Sequence, residues 1–191
     1  PEKVMELLRR YHDVIERAIF ENAGTLDKYL GDGVMATFGT PETGATDAAN
    51  GFRAACRIVT DIEECNRDCA ARGDPEFRVS VGLHYGPVIV GDIGPARRLE
   101  FAVLGDTVNV AARLEAATRE QQCRMIVSGE VAARMKTEKA GPQKLPAEFR
   151  LRRNVRLRGR SSPVDIWIGW PEPGVAKKPK TTPRSYWCAM C

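Results

Sequence analysis

The residue best placed to do chemistry in this 191-residue chain is Asp32, in the segment DKYLGDGVMATFG at residues 27–39. Two short apolar runs, 26–30 and 34–38, read as strands joined by the tight turn Gly31-Asp32-Gly33. The flanking glycines let the backbone turn sharply and leave the carboxylate open, which suits a hard cation or a phosphate neighbourhood. A Gly-Asp-Gly also serves as a plain turn. The second segment is EFAVLGDTVNVAARLE at 100–115, which passes from a strand through Gly105-Asp106 into a helix. Asn109 and Arg113 lie four apart and share one helix face. Arginine offers a planar fork of donors for phosphate oxygens, and asparagine can hydrogen-bond a sugar. The same pair also fits a solvated helix face. Asp106, directly before the apolar run, is expected to cap the helix rather than to act in catalysis.

These residues need a scaffold, and the apolar periodicity supplies one. Val4, Leu7, Leu8, Tyr11, Ile15 and Ile19 trace one face of a first helix, and the hairpin follows it. A second helix is expected over 46–72, with Ala48, Phe52, Ala55, Cys56, Val59 and Ile62 inward. Strands are expected at 77–84, 87–92 and 99–104, then the helix of Asn109 and Arg113. A strand at 125–128, a small helix at 130–135, and strands at 149–157 and 164–169 complete the domain. Strands flanked by helices on this plan give an α/β sandwich. From Pro171 onward Pro, Lys, Thr and Gly dominate, so 171–191 is expected to be a flexible basic tail outside a domain of residues 1–170.

With both segments in view, the chain resembles the class III nucleotidyl cyclases, the adenylate and guanylate cyclase catalytic domains. DKYLGDGVMATFG, VSVGLHYGPVIVGDIG and LGDTVNVAARLE carry the resemblance, which runs over about residues 1–169. It implies a ferredoxin-like α/β sandwich core with additional strands. It also implies conversion of ATP to 3′,5′-cyclic AMP and pyrophosphate, with two Mg²⁺ or Mn²⁺ ions per site. On this resemblance Asp32 matches a metal aspartate and Lys28 the lysine that reads adenine. Asn109 matches the residue that positions the ribose, and Arg113 the one that stabilises the transition state. Arg158 lies where a basic residue meets the triphosphate, with Arg160 as the alternative. A head-to-tail homodimer with a site at each interface is implied, one subunit giving Asp32 and the other Lys28, Asn109 and Arg113.

Two departures from the family pattern are visible. The first metal aspartate, on a strand ahead of the hairpin, has no counterpart in the sequence, since neither Asp13 nor Asp27 has a suitable apolar strand context. An upstream segment, with a sensor or regulatory region, is therefore expected in the parent protein. The second departure is Ala102, seven before Asn109, where adenylate cyclases usually carry Asp or Thr to complete adenine recognition. Alanine offers no side-chain hydrogen bond there. Lys28 argues for ATP, while Ala102 leaves open a guanylate or dual-specificity cyclase. A non-catalytic dimerisation or nucleotide-sensing module is the alternative of another kind, disfavoured by the presence of Asp32, Asn109 and Arg113.

Composition excludes several other classes. A chain of 191 residues with 43% hydrophobic content can build one well-packed domain and is short for two. The net charge of +4 is modest, and no dense basic stripe with interleaved aromatics marks a nucleic-acid binder. Arg97-Arg98 and residues 150–160 form local positive patches, and the second falls where a triphosphate is expected. His12 and His84 are the only histidines, read as structural because no acidic partner stands at a useful spacing. The six cysteines, at 56, 65, 69, 123, 188 and 191, show no disulfide framework, and the terminal Cys188-x-x-Cys191 lacks a redox context. With no apolar run able to span a bilayer and no signal peptide, this segment is expected to be cytoplasmic and to make no membrane contact itself.

Overall fold

Apolar residues three and four apart make the first helix one-sided. In α1 (Glu2–Glu21) Tyr11, Ile15, Ala18 and Ile19 are buried, forming the stripe that seats it on its neighbours. The computed structural model describes residues 2–93, 100–139, 141–142, 144–160, 162–171 and 185–190. After α1 the chain forms the hairpin of β1 (Gly24–Leu30) and β2 (Gly33–Phe38), closed where Leu30 faces Gly33. Gly31 has φ +68°, a left-handed setting that glycine adopts freely at the first position of a two-residue turn. A Cβ there would meet nothing within 4 Å, so the tip stands in open space.

α2 (Asp47–Arg72) begins without a side-chain cap from Thr46. Its first-turn donors are instead satisfied by a distant residue. The buried Glu138 accepts from the backbone N–H groups of Ala48 and Ala49, at 2.9 Å each. A carboxylate at this end of a helix also meets the positive pole of the peptide dipoles.

The remaining elements are β3 (Arg78–Leu83), β4 (Ile89–Ile93), β5 (Glu100–Leu104), α3 (Asp106–Glu120), β6 (Cys123–Ser128), α4 (Gly129–Thr137), β7 (Arg150–Val155), β8 (Val164–Pro171) and β9 (Ser185–Met190). Seven strands form one mixed sheet in the order β1-β2-β9-β3-β6-β8-β7, and β4 pairs with β5 in a separate ribbon. The strand alternation divides the core between the two faces of the sheet. Val79, Val81 and Leu83 of β3 join α1 and α2, together with Met125 and Val127 of β6. Ile126 of β6 instead packs with Val110 and Leu114 of α3 and with Ile166 and Ile168 of β8. This is the α/β sandwich expected from the sequence, with helices on both faces of the sheet.

The close seat of α3 depends on one glycine. A Cβ on Gly82 would stand 2.3 Å from the Ala111 carbonyl oxygen and 2.4 Å from the Glu115 nitrogen. Only a residue without a side chain lets the helix backbone come this near to the strand.

One expectation changes at the end of the chain. The segment from Pro171 onward was expected to lie outside the domain, yet Ser185–Met190 forms β9 inside the sheet, parallel to both β2 and β3. In this position it pairs backbone groups of β2 and β3 that need ladder partners. Residues 172–184 and Cys191 lie outside the described residues.

Candidate active site

α3 sets out its functional side chains by helical spacing. Asn109, Arg113 and Ala116 fall on one face and line a cavity of about 440 Å³, whose opposite wall includes Val155, Arg156 and Arg158. That volume is in the range of small-molecule sites. Three arginines against one acidic lining residue, Glu120, make the cavity suited to a polyanion.

The arginines after β7 are aimed by a turn. Arg160 N–H donates to the Leu157 carbonyl at 3.1 Å, with Gly159 at φ +72° in the third position, where a turn of this kind needs a residue tolerant of positive φ. A Cβ on Gly159 would lie 3.5 Å from Arg113 Nη2, so the turn and the Arg113 guanidinium are neighbours. The turn separates the two arginines that the sequence leaves as alternatives. Arg158 lines the cavity, whereas Arg160 Nη1 lies 3.5 Å from Asp106 Oδ2 at the start of α3.

That ion pair also revises the reading of Asp106. Gly105 occupies the cap position, no side-chain cap bond is made, and Asp106 is the first helical residue. Its carboxylate is placed for the helix dipole and for Arg160 instead. Thr107 Oγ1 anchors the same turn by donating to the Pro87 carbonyl at 2.6 Å.

Asp32, Lys28 and Ala102 do not line this cavity. Asp32 sits at the open hairpin tip. Lys28 is on β1, with Nζ 3.4 Å from Asp27 Oδ2. Ala102 is on β5, opposite Gly91 of β4, and is buried with only a methyl group to offer. Across this ribbon Ile89 and Leu104 face each other and are 73% and 48% exposed, an apolar pair open to solvent among the described residues.

Glu115 is a residue the sequence reading passed over. It is buried on the side of α3 that meets β3, and burial pushes its carboxyl up to about 7, with Arg119 and Arg78 opposing the rise and Asp32 adding to it. Its place was legible, since it follows Ala111 by four on the buried face.

Both histidines have acidic groups near them in space, contrary to the expectation from spacing. His84 is buried, shares a hydrogen bond of 2.9 Å with Ser128 Oγ, and has Glu130 Oε2 3.7 Å away. Burial is the main influence on its imidazole and lowers the pKa, as does Arg160, against Glu130 and Asp106. His12 packs in a tilted arrangement against Tyr29 at 4.7 Å between ring centres, and the Tyr29 hydroxyl donates to Glu16. These contacts tie α1 to the hairpin that carries Lys28 and Asp32.

Comparison with known proteins fits this geometry. The adenylate and guanylate cyclase catalytic domain family matches residues 1–169. The chain belongs to that family. Among curated relatives, adenylate cyclase 1 of Rhizobium meliloti is 32% identical over 87% of this chain, and the adenylate cyclase of Anabaena cylindrica is 29% identical over 87%. The chain spans about a quarter and a third of those two relatives, 24% and 32% of their lengths. The solved guanylyl cyclase Cya2 superposes with a TM-score of 0.71 at 25% identity, covering 91% of this chain and 84% of that one. The adenylyl cyclase CyaB from P. aeruginosa gives 0.71 at 25% identity, covering 88% and 82%. One neighbour of each base preference fits equally well, so the nucleotidyl cyclase fold does not by itself choose the base. No described helix is long and apolar enough to cross a membrane.

Cyclases of this class use divalent metals, and Asp32 offers one hard oxygen ligand on an accessible turn. β9, which runs beside β2, has the sequence SYWCAM and brings no carboxylate. Among the described residues no group of three or more His, Cys, Asp or Glu side chains could hold an ion. The described residues therefore do not fit a two-ion site by themselves.

Proposed function

We propose that this domain converts ATP to 3′,5′-cyclic AMP and pyrophosphate at sites completed between two copies of the chain. The observation that carries the reading is the cavity beside α3, where Asn109, Arg113 and Arg158 converge while Lys28 and Asp32 stay outside it. A second chain placed head to tail would bring its Asp32 to this cavity, while Lys28 belongs to the same chain as Asn109 and Arg113. The uncovered pair Ile89 and Leu104 offers apolar surface for such an assembly.

In this reading Asn109 orients the ribose through its amide, holding the 3′-oxygen toward the α-phosphorus. The 3′-hydroxyl passes its proton to solvent water, and a bond forms from its oxygen to the α-phosphorus. The bond from that phosphorus to the bridging oxygen of pyrophosphate breaks, and the pyrophosphate leaves with the electron pair of that bond. Arg113 meets the charge that grows on the non-bridging oxygens, and Arg158, with Arg156 beside it, holds the departing pyrophosphate. No side-chain nucleophile is needed. Asp32 would be one ligand of a divalent cation, Mg²⁺ or Mn²⁺, whose chemistry when bound would be Lewis-acid polarisation and charge neutralisation, although the described residues do not by themselves complete a two-ion site. Lys28 reads the adenine. The domain would act in the cytoplasm, where ATP is supplied, under an upstream sensor or regulatory region of the parent protein.

A second reading, a guanylate or dual-specificity cyclase, is favoured by Ala102, whose methyl cannot hydrogen-bond a base. Product formation from ATP and from GTP with Mn²⁺, for the full-length protein and its Asp32→Ala variant, separates the readings. Cyclic AMP that disappears in the variant is expected. Cyclic GTP-derived product at equal or higher kcat/KM would favour the second reading, and no cyclic product from either nucleotide in a dimeric preparation would overturn both.

A further inference from the structure

Adjacent residues on a regular strand point to opposite faces of a sheet, so Asp27 and Lys28 should not meet. They do, with Lys28 Nζ 3.4 Å from Asp27 Oδ2. The reason is a β-bulge. Leu26 pairs with Ala36 and Lys28 with Met35, so two steps along β1 oppose one step along β2 and Asp27 is the extra residue. A bulge re-aims side chains and is a common device beside functional sites.

The burial of this pair is uneven. The Asp27 side chain is 2% exposed and that of Lys28 is 38% exposed. Both Asp27 carboxylate oxygens are covered, and among the described residues neither has a hydrogen-bond partner. A carboxylate taken out of water without hydrogen bonds is unfavourable unless a charge compensates it. The partly exposed ammonium of Lys28 is the compensating group, and Asp27, being covered, cannot itself touch a ligand.

We propose that Asp27 is a positioning residue for Lys28, holding its ammonium over the bulge so that the base-reading end of a flexible four-carbon stem is presented in one place. This rests on the reading of Lys28 as the residue that recognises adenine. A lysine left alone samples many rotamers, and fixing it by a buried counter-charge concentrates the geometry that distinguishes one base from another. Asp27 thus acts on base selectivity through Lys28 without contacting the nucleotide.

The test is a double-mutant cycle in the full-length protein, measuring kcat/KM for ATP and GTP in wild type, Asp27→Asn, Lys28→Ala and the double variant. Asp27→Asn removes the charge and keeps the shape. It is expected to lower the ATP-to-GTP ratio about fivefold, and to change it less than about twofold once Lys28 is already alanine. Asp27→Glu, which restores the charge, should keep the ratio within about twofold of wild type. If Lys28→Ala shifts the ratio but Asp27→Asn does not, or lowers both nucleotides equally, the positioning role is overturned while the reading of Lys28 stands. If Lys28→Ala leaves the ratio unchanged, that reading falls and the proposal falls with it. Should Asp27→Asn fail to fold, an Asp27→Glu ratio that drops to the Lys28→Ala value would overturn the proposal, and one near wild type would support it.

Discussion

The cavity beside α3 and the tip of the β1–β2 hairpin hold the two halves of the candidate site. In the cavity the functional groups are brought together and aimed by the fold itself. Gly82 lets α3 seat on β3, the Leu157-to-Arg160 turn presents Arg158 beside Arg113, and Asp106 draws Arg160 aside. At the tip, Asp32 stands on a turn in open space, with no carboxylate cluster around it among the described residues. The difference teaches where the chain has organised its chemistry and where it relies on what docks. The arginine-lined wall is formed within one chain, so on the proposed reading its energy of organisation is already contained in folding. On the proposed reading, Asp32 at the tip acquires its partners from assembly.

Substitutions can break this comparison. The largest effect should come from Arg113→Ala, which removes a donor placed for the charge that develops in the transition state. A loss of about 10²–10³ in kcat is expected with KM for ATP little changed. Arg158→Ala should instead raise KM more than it lowers kcat, since it grips a group that is charged throughout the reaction. Steady-state kinetics on both variants checks the division, and equal kcat losses would mean that the cavity wall does not separate these roles.

Gly82→Ala tests the seat of α3 rather than its side chains. A methyl group against the helix backbone should reduce stability by about 1–3 kcal/mol, seen as a lower denaturant midpoint. It should also depress turnover in the molecules that remain folded, because Asn109 and Arg113 move with the helix. Unchanged stability and activity would show that α3 tolerates displacement.

The smallest effect concerns Glu115, buried on the side of α3 that meets β3. Its carboxyl is raised to about 7 in the folded protein, against an ordinary value of about 4.3 in an unfolded chain. The folded state therefore holds a proton more firmly than the unfolded state between these values, so this group's contribution to stability falls as pH rises from about 4.5 to about 7. Glu115→Gln should raise Tm by a few degrees at pH 8, and the gap should close toward pH 5. A Tm difference independent of pH would mean that Glu115 stays ionised throughout.

Much of this was legible in the chain because local rules and tertiary packing agree there. The Gly31-Asp32 turn follows from glycine placement between two apolar runs, and the shared face of Asn109 and Arg113 follows from helical spacing. What stayed hidden depended on partners far away in sequence. Arg158 and Arg160 are alike until Asp106, on another element, claims one of them. Glu138 caps α2 across a separation of 90 residues, and Asp27 meets Lys28 only because a bulge shifts the register against β2. β9 escaped notice because its six residues follow a stretch dominated by Pro, Lys, Thr and Gly, where composition masks a short strand signal.

The central claim is that each complete site joins Asp32 of one copy to Lys28, Asn109 and Arg113 of another. Mixing the Asp32→Ala and Arg113→Ala proteins after reversible dissociation tests it directly. Random pairing makes half of the dimers mixed, each with one intact site of two, so the mixture should regain about a quarter of wild-type activity although either variant alone is nearly inactive. A mixture that forms mixed dimers yet stays as inactive as its components would contradict the claim and place Asp32 and Arg113 in the same chain's site.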